Sequence, residues 1–143
     1  MASWNNNVKH RVFNGLSMSK RQIPAPYKPQ HHPKGWGHED WVSNNEEYCG
    51  KLLFFKKGKR CSFHYHEKKR ETFYLFSGKM EIRVGWEDDL NGSEIKSYIL
   101  NPSDCLEIPK GLRHQMIALE DSNLFEFSTT HFEEDSKRII KGD

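Results

Sequence analysis

One stretch, GKRCSFHYHEKKRETFYLFSG from Gly58 to Gly78, limits what this chain can become more than any other. Aromatic and β-prone residues surround two histidines, and glycines bracket the set, so the period is that of strands joined by a turn. Side chains two apart on a strand point to the same face. His64 and His66 therefore project into one space. A tight turn through Glu67 to Arg70 returns Glu71 beside them on the next strand. Two imidazoles and a carboxylate converging in this way suit a divalent transition metal.

A second segment, IPKGLRH from Ile108 to His114, adds to this. Pro109 and Gly111 mark a turn, and His114 opens the apolar run from Met116 to Leu119, offering a third imidazole. The rest of the chain reads as short strands at regular spacing, broken by Gly, Pro and Asn, which predicts an all-β barrel. In YCGKLLFFKK, alternation puts Cys49, Lys51, Leu53 and Phe55 on one face and Gly50, Leu52 and Phe54 on the other. Both faces are largely apolar, as in a sandwich. A hairpin is expected about Gly78, an Asn-Gly turn at Asn91-Gly92, a strand over 94–100, and strands over 104–108, 114–119 and 124–130.

The spacing Gly58-x5-His64-x-His66-x4-Glu71-x6-Gly78 resembles the first cupin motif at every defining position, and Pro109-x-Gly111-x2-His114 resembles the core of the second. Ser103 and Asp104 stand near the second motif's usual leading glycine, and Ala118 replaces a usual asparagine; neither position is a ligand. The resemblance covers about Tyr48 to Thr130. It implies a single-domain, all-β fold, the double-stranded β-helix or jelly-roll barrel. It also implies one divalent ion (Mn, Zn, Fe, Co or Ni) held by His64, His66, Glu71 and His114. On this reading residues 1–33 form a polar, Pro-rich N-terminal arm, 34–130 the barrel and 131–143 a charged tail.

The arm contains IPAPYKPQHHP, whose four prolines favour extended backbone. Adjacent on an extended chain, His31 and His32 point apart and make a poor chelate with one another. Residues 1–22 are a candidate for adding to a partner's sheet edge, so a homodimer is expected. The tail is expected to be a short helix or an arm anchored by Phe132, Ile139 and Ile140.

Composition excludes several classes. Charged residues make up 29% of the 143, yet the net charge is only +2, which argues against a nucleic-acid binder relying on bulk charge. No apolar run reaches the ~18 residues of a membrane helix. MASWNNNVKHRVFNG lacks the apolar core of a secretory signal. Three cysteines, Cys49, Cys61 and Cys105, form no CxxC and are expected to be free thiols in a reducing cytoplasm.

Three imidazoles and a carboxylate leave open positions on a five- or six-coordinate ion for substrate or water. Several flanking residues resemble the type II phosphomannose isomerase cupins: Lys34-Gly-Trp-Gly, Lys51, Arg60-x-Ser62 and Glu134-Asp-Ser-x-Arg138. Those domains often carry Gln where His64 stands, which brings the metal ligands closer to lyxose-isomerase-like enzymes. The implied activity is aldose–ketose isomerisation of a sugar or sugar phosphate through a metal-stabilised enediolate. Glu71 or Glu39 would act as base and Lys51 would stabilise developing charge. Arg60, Trp36 and Tyr74 are candidate substrate contacts. The competing readings are a mononuclear iron dioxygenase, a metal-dependent lyase using Tyr65 or Tyr74 as base, and a non-enzymatic sugar-binding module.

Overall fold

A computed structural model describes residues 21–143; residues 1–20 of the arm expected over 1–33 lie outside them. The described residues form eleven strands and a single turn of 3₁₀ helix, Glu133–Asp135. The strands are β1 (Gln30–Lys34), β2 (Gly37–Asn44), β3 (Cys49–Phe55), β4 (Phe63–Tyr65), β5 (Glu71–Ser77) and β6 (Met80–Gly85). They continue with β7 (Lys96–Leu100), β8 (Cys105–Ile108), β9 (Arg113–Ala118), β10 (Ser122–Ser128) and β11 (Lys137–Ile140).

Two antiparallel sheets result, a six-stranded one ordered β1-β2-β3-β10-β5-β8 and a five-stranded one ordered β11-β4-β9-β6-β7. The alternation expected in β3 is present, with Cys49, Lys51, Leu53 and Phe55 buried and the residues between them only partly so. β5 repeats it through Glu71, Phe73 and Leu75. Leu53, Phe55, Phe73, Leu75 and Leu124 of one sheet meet Met80, Ile82, Val84 and Met116 of the other in one core cluster. Burial of apolar surface between the sheets stabilises the sandwich at ~25 cal/mol per Å². Gly78 turns β5 into β6 with φ +94°, and a Cβ there would collide with Ser122 and Asp121.

Two boundaries differ from the sequence reading. The sheet begins at Gln30 rather than at residue 34, because β1 pairs with β2 from Gln30↔Trp41 to Lys34↔Gly37. Pro33 is tolerated there because β1 is an edge strand, where a missing N–H costs no ladder bond. The tail combines the two expected forms, a 3₁₀ turn over Glu133–Asp135 and an arm that lies on the barrel as a strand. β11 pairs with β4, aligning Arg138 with His64, and so becomes the edge of the second sheet. Phe132 and Ile140, expected as anchors, are 42% and 41% exposed, whereas Asp135 is 2% exposed and holds the tail through polar contacts. No helix among the described residues is long and apolar enough to cross a membrane.

Candidate metal centre

Three strands and their ends bring the histidines together. β4 carries His64, which pairs directly with His114 on β9. His66 follows the end of β4, and Glu71 opens β5. Gly111 N–H donates to the His66 carbonyl at 2.7 Å, tying the Pro109–Gly111 turn to the first histidine pair. The ring centroids lie 4.3 Å (His64–His114), 5.0 Å (His64–His66) and 5.7 Å (His66–His114) apart. One nitrogen from each ring falls within 4.8 Å of the other two.

Each imidazole is oriented by a backbone carbonyl. Nδ1 of His64 lies 2.9 Å from the Ser62 oxygen, that of His66 3.2 Å from the Asp135 oxygen, and that of His114 2.9 Å from the Leu112 oxygen. A carbonyl only accepts, so the proton sits on Nδ1 and the Nε2 lone pair is left free, the tautomer a metal requires. Burial pushes His64 well below the ordinary imidazole range and His66 down to about 4, so both rings are neutral at pH 7.

Glu71 stands beside this group, its Oε1 3.7 Å from His66 Nε2 and its Oε2 3.2 Å from His114 Nε2. Neither approach has hydrogen-bonding geometry, and His66 Nε2, His114 Nε2 and Glu71 Oε2 are buried with no partner. An orphaned buried polar atom costs ~1–3 kcal/mol, so three facing one point fit a bound cation. Neutral imidazoles and one carboxylate fit a divalent transition ion, with Glu71 Oε2 as fourth donor.

Lys69 pins Glu71 in place. Its ammonium, 3% exposed, sits 2.8 Å from Glu71 Oε1 and 3.0 Å from Glu126 Oε2. Burial alone would raise Glu71, but the adjacent Lys69 ammonium holds the carboxyl well below its usual range. Glu126 shares the same ammonium, yet burial dominates and raises it. Asp135 then locks the turn between the ligand strands: its carboxylate accepts from Glu67 N–H (2.9 Å), Lys68 N–H (3.1 and 3.2 Å) and Lys69 N–H (3.1 Å). The same residue's carbonyl orients His66.

A cavity of about 300 Å³ opens beside the histidines, lined in part by Glu39, Lys51, Lys69, Glu126, His131 and Arg138. Lys51, expected to face either the site or water, is 3% exposed at its side chain and reaches Glu39 Oε1 at 3.3 Å. Burial would raise Glu39, but Lys51 and Lys34 overcome this and bring it down to about 2. Trp36 lines the cavity and stacks on Phe55 at 4.0 Å.

Three expected contacts lie elsewhere. Tyr74 occupies the opposite face of β5, beside Phe125 at 6.4 Å, because it is an odd number of residues from Glu71. Tyr65 likewise points away from its histidine neighbours, under the Arg113 guanidinium at 3.8 Å. Arg60 is exposed, lies outside the lining, and uses its backbone N–H to donate to Asp143 Oδ2. The tail's Arg138 and Lys141 line the cavity instead. Sequence reasoning missed Lys69, Glu126, His131 and Asp135. For Glu126 the signal was available: it falls on the inward parity of β10, with buried Ser122 and Leu124.

A model of the cupin domain matches residues 51–127, the segment that holds all four donors. The chain belongs to the cupin family. Among solved structures, this cupin superposes on KdgF from Halomonas sp. with a TM-score of 0.62 at 19% identity, covering 73% of this chain and 91% of that one. CapF, a capsular polysaccharide assembling protein of Staphylococcus aureus, gives 0.66 at 21% identity over 81% of this chain and 36% of that one. Oxalate decarboxylase from Bacillus subtilis gives 0.65 at 15% identity over 94% and 38%. At these identities the likeness is one of fold. A curated relative, quercetin 2,3-dioxygenase of Bacillus subtilis, is 43% identical over 58 residues, which span 41% of this cupin and 14% of that enzyme.

Proposed function

We propose that this cupin is a metal-dependent enzyme that isomerises a small polyhydroxylated substrate, a sugar or sugar phosphate, by moving a proton between adjacent carbons. The observation that carries it is the union of the oriented, orphaned Nε2 set with a cavity walled by buried charges. Such a wall complements hydroxyl-rich ligands, since each buried charge needs a polar partner. His64, His66 and His114, with Glu71, would hold the ion. When bound, it supplies Lewis acidity toward two neighbouring substrate oxygens.

The chain's own residues account for the rest. The Lys51 ammonium presents N–H donors at the cavity wall, where charge would develop on an oxygen. Glu39, held near 2 by two lysines, is a weak base. Glu126 lines the same cavity and has its proton affinity raised by burial, so the base is better assigned to Glu126 than to Glu39 or Glu71. It would take the proton from carbon 2 and return it to carbon 1 while the hydroxyl proton shifts from oxygen 2 to oxygen 1. Trp36 and Trp41 line the same wall. Val42, Phe76 and Phe127, exposed at 44%, 62% and 56%, support the homodimer expected from sequence.

A second reading, an iron-dependent dioxygenase, is favoured by the 58-residue likeness to quercetin 2,3-dioxygenase. One experiment separates them. Metal-reconstituted protein is screened anaerobically in D₂O with aldoses and ketoses, free and phosphorylated, following the C1 and C2 protons by NMR. Deuterium incorporation without oxygen supports the isomerase. No exchange there, with oxygen uptake in a parallel aerobic assay only with iron and an aromatic or small-acid substrate, supports the dioxygenase and overturns the isomerase.

A further inference from the structure

We propose that the β1–β2 hairpin carries a second divalent-metal site, built from His31, His38 and Asp40, on the face opposite the cavity. Strand parity assembles it. His31 lies directly across from Asp40 in the antiparallel register, and His38 is two residues before Asp40 on the same strand. All three side chains therefore stand on one face, where directly opposed Cβ atoms lie ~4.5–5.5 Å apart. The residues between them go the other way. His32 stacks on Trp41 at 4.0 Å, and Glu39 reaches into the cavity toward Lys51. The partner of His31 is thus not its neighbour His32 but a cross-strand pair.

The donors stand close enough to converge on one ion, which would replace the hydrogen bond now joining His31 Nδ1 and Asp40 Oδ1. His31 Nδ1 is 2.7 Å from Asp40 Oδ1, His38 Nε2 is 3.8 Å from Asp40 Oδ2, and the two rings are 4.7 Å apart. One donor atom from each residue lies within 4.8 Å of the other two, the same closeness as in the inner histidine group. The His38 ring stacks on Phe54 at 5.3 Å, which restrains its rotamer. Paired strands hold the donors, so little ordering is left to occur on binding. Two imidazoles and one carboxylate suit zinc, nickel or copper, with the remaining positions taken by water. The Asp40 carboxylate supplies the negative charge that neutral imidazoles lack.

The site has a structural consequence. Among the described residues, β1 is the edge of its sheet and is bonded to β2 alone. An ion joining His31 to His38 and Asp40 would clip this edge strand down. The opposite face of the same hairpin supplies Lys34 and Glu39 to the cavity wall, with Lys34 Nζ 3.5 Å from Glu39 Oε2. Metal on the outer face would thereby steady one wall of the inner site without contributing a ligand to it.

The test uses the full chain, stripped with a chelator and titrated with Zn²⁺ against a chromophoric competitor. Wild type should take up one equivalent more than the His31→Ala/His38→Ala variant, and the outer equivalent should survive in His66→Ala, which removes an inner donor. Zn²⁺ added to protein whose inner site is already loaded should shift the His31 and His38 ring protons in NMR spectra. Equal uptake by wild type and the His31→Ala/His38→Ala variant, or unmoved ring protons in the loaded protein, would overturn the proposal. Failure of the inner centre would appear instead as no loss on His66→Ala.

Discussion

Replacing Asp135 by alanine should weaken the metal centre although the side chain touches no ligand. Its carboxylate takes hydrogen bonds from three consecutive backbone N–H groups, those of Glu67, Lys68 and Lys69, at 2.9–3.2 Å. Bonds to a charged acceptor are worth ~1.5–3 kcal/mol each, but Glu67 and Lys68 are exposed and water can replace part of theirs. A loss of about 3 kcal/mol is the reasonable figure, against a total stability of ~5–15 kcal/mol. For a domain of this size that lowers Tm by roughly 6–12 °C. The turn so released joins His66 to Glu71, and the Asp135 carbonyl that orients His66 moves with the tail. Loss of such a supporting contact typically costs ~10–100-fold in metal affinity. Thermal unfolding of the metal-free protein and chelator competition measure the two effects separately. A Tm within about 2 °C of wild type together with unchanged affinity would refute the tail's place in the centre.

Three further outcomes are expected. Lys51→Ala should leave metal stoichiometry intact and lower turnover. It leaves Glu39 with Lys34 and the Trp41 indole N–H, so stability should fall toward the lower end of the ~3–5 kcal/mol seen for a broken buried pair, read by denaturant unfolding. Glu126→Gln should abolish substrate-dependent deuterium exchange while binding metal normally; full exchange in that variant removes Glu126 as base. Glu39 has a folded pKa of about 2 against an ordinary 4.5, so its pairing stabilises the fold above the ordinary value and that contribution disappears as pH falls from about 4.5 to about 2. Stability curves of wild type and Glu39→Gln should therefore converge across this window, and parallel curves would show that the pairing contributes nothing.

Much of the centre was legible because a strand alternates. His64 and His66 share a face, Tyr65 between them does not, and the same parity sends Tyr74 away from Glu71. Tyr74 and Tyr65 were expected near the metal on residue type, and the alternation already stood against both. The inward Lys51 follows from the same count along β3, since Cys49, Leu53 and Phe55 share its face. Arg60 was expected in the cavity because it precedes the ligand strand. The chain there is an isolated bridge to Ile117 rather than part of β4, so the alternation does not extend to it.

Local spacing thus decided the strands, the turns and which side chains share a face, because those depend on backbone geometry over a few residues. It could not decide which distant segments become neighbours. Asp135 reaches Glu67 from 68 residues away, and Lys69 meets Glu126 from 57. Such pairs exist because closing two sheets around one core brings the tail and β10 to the turn after β4. Sequence separation has no bearing on that meeting. The four candidate donors could be read along the chain, whereas the charges that hold and surround them belong to the folded sandwich.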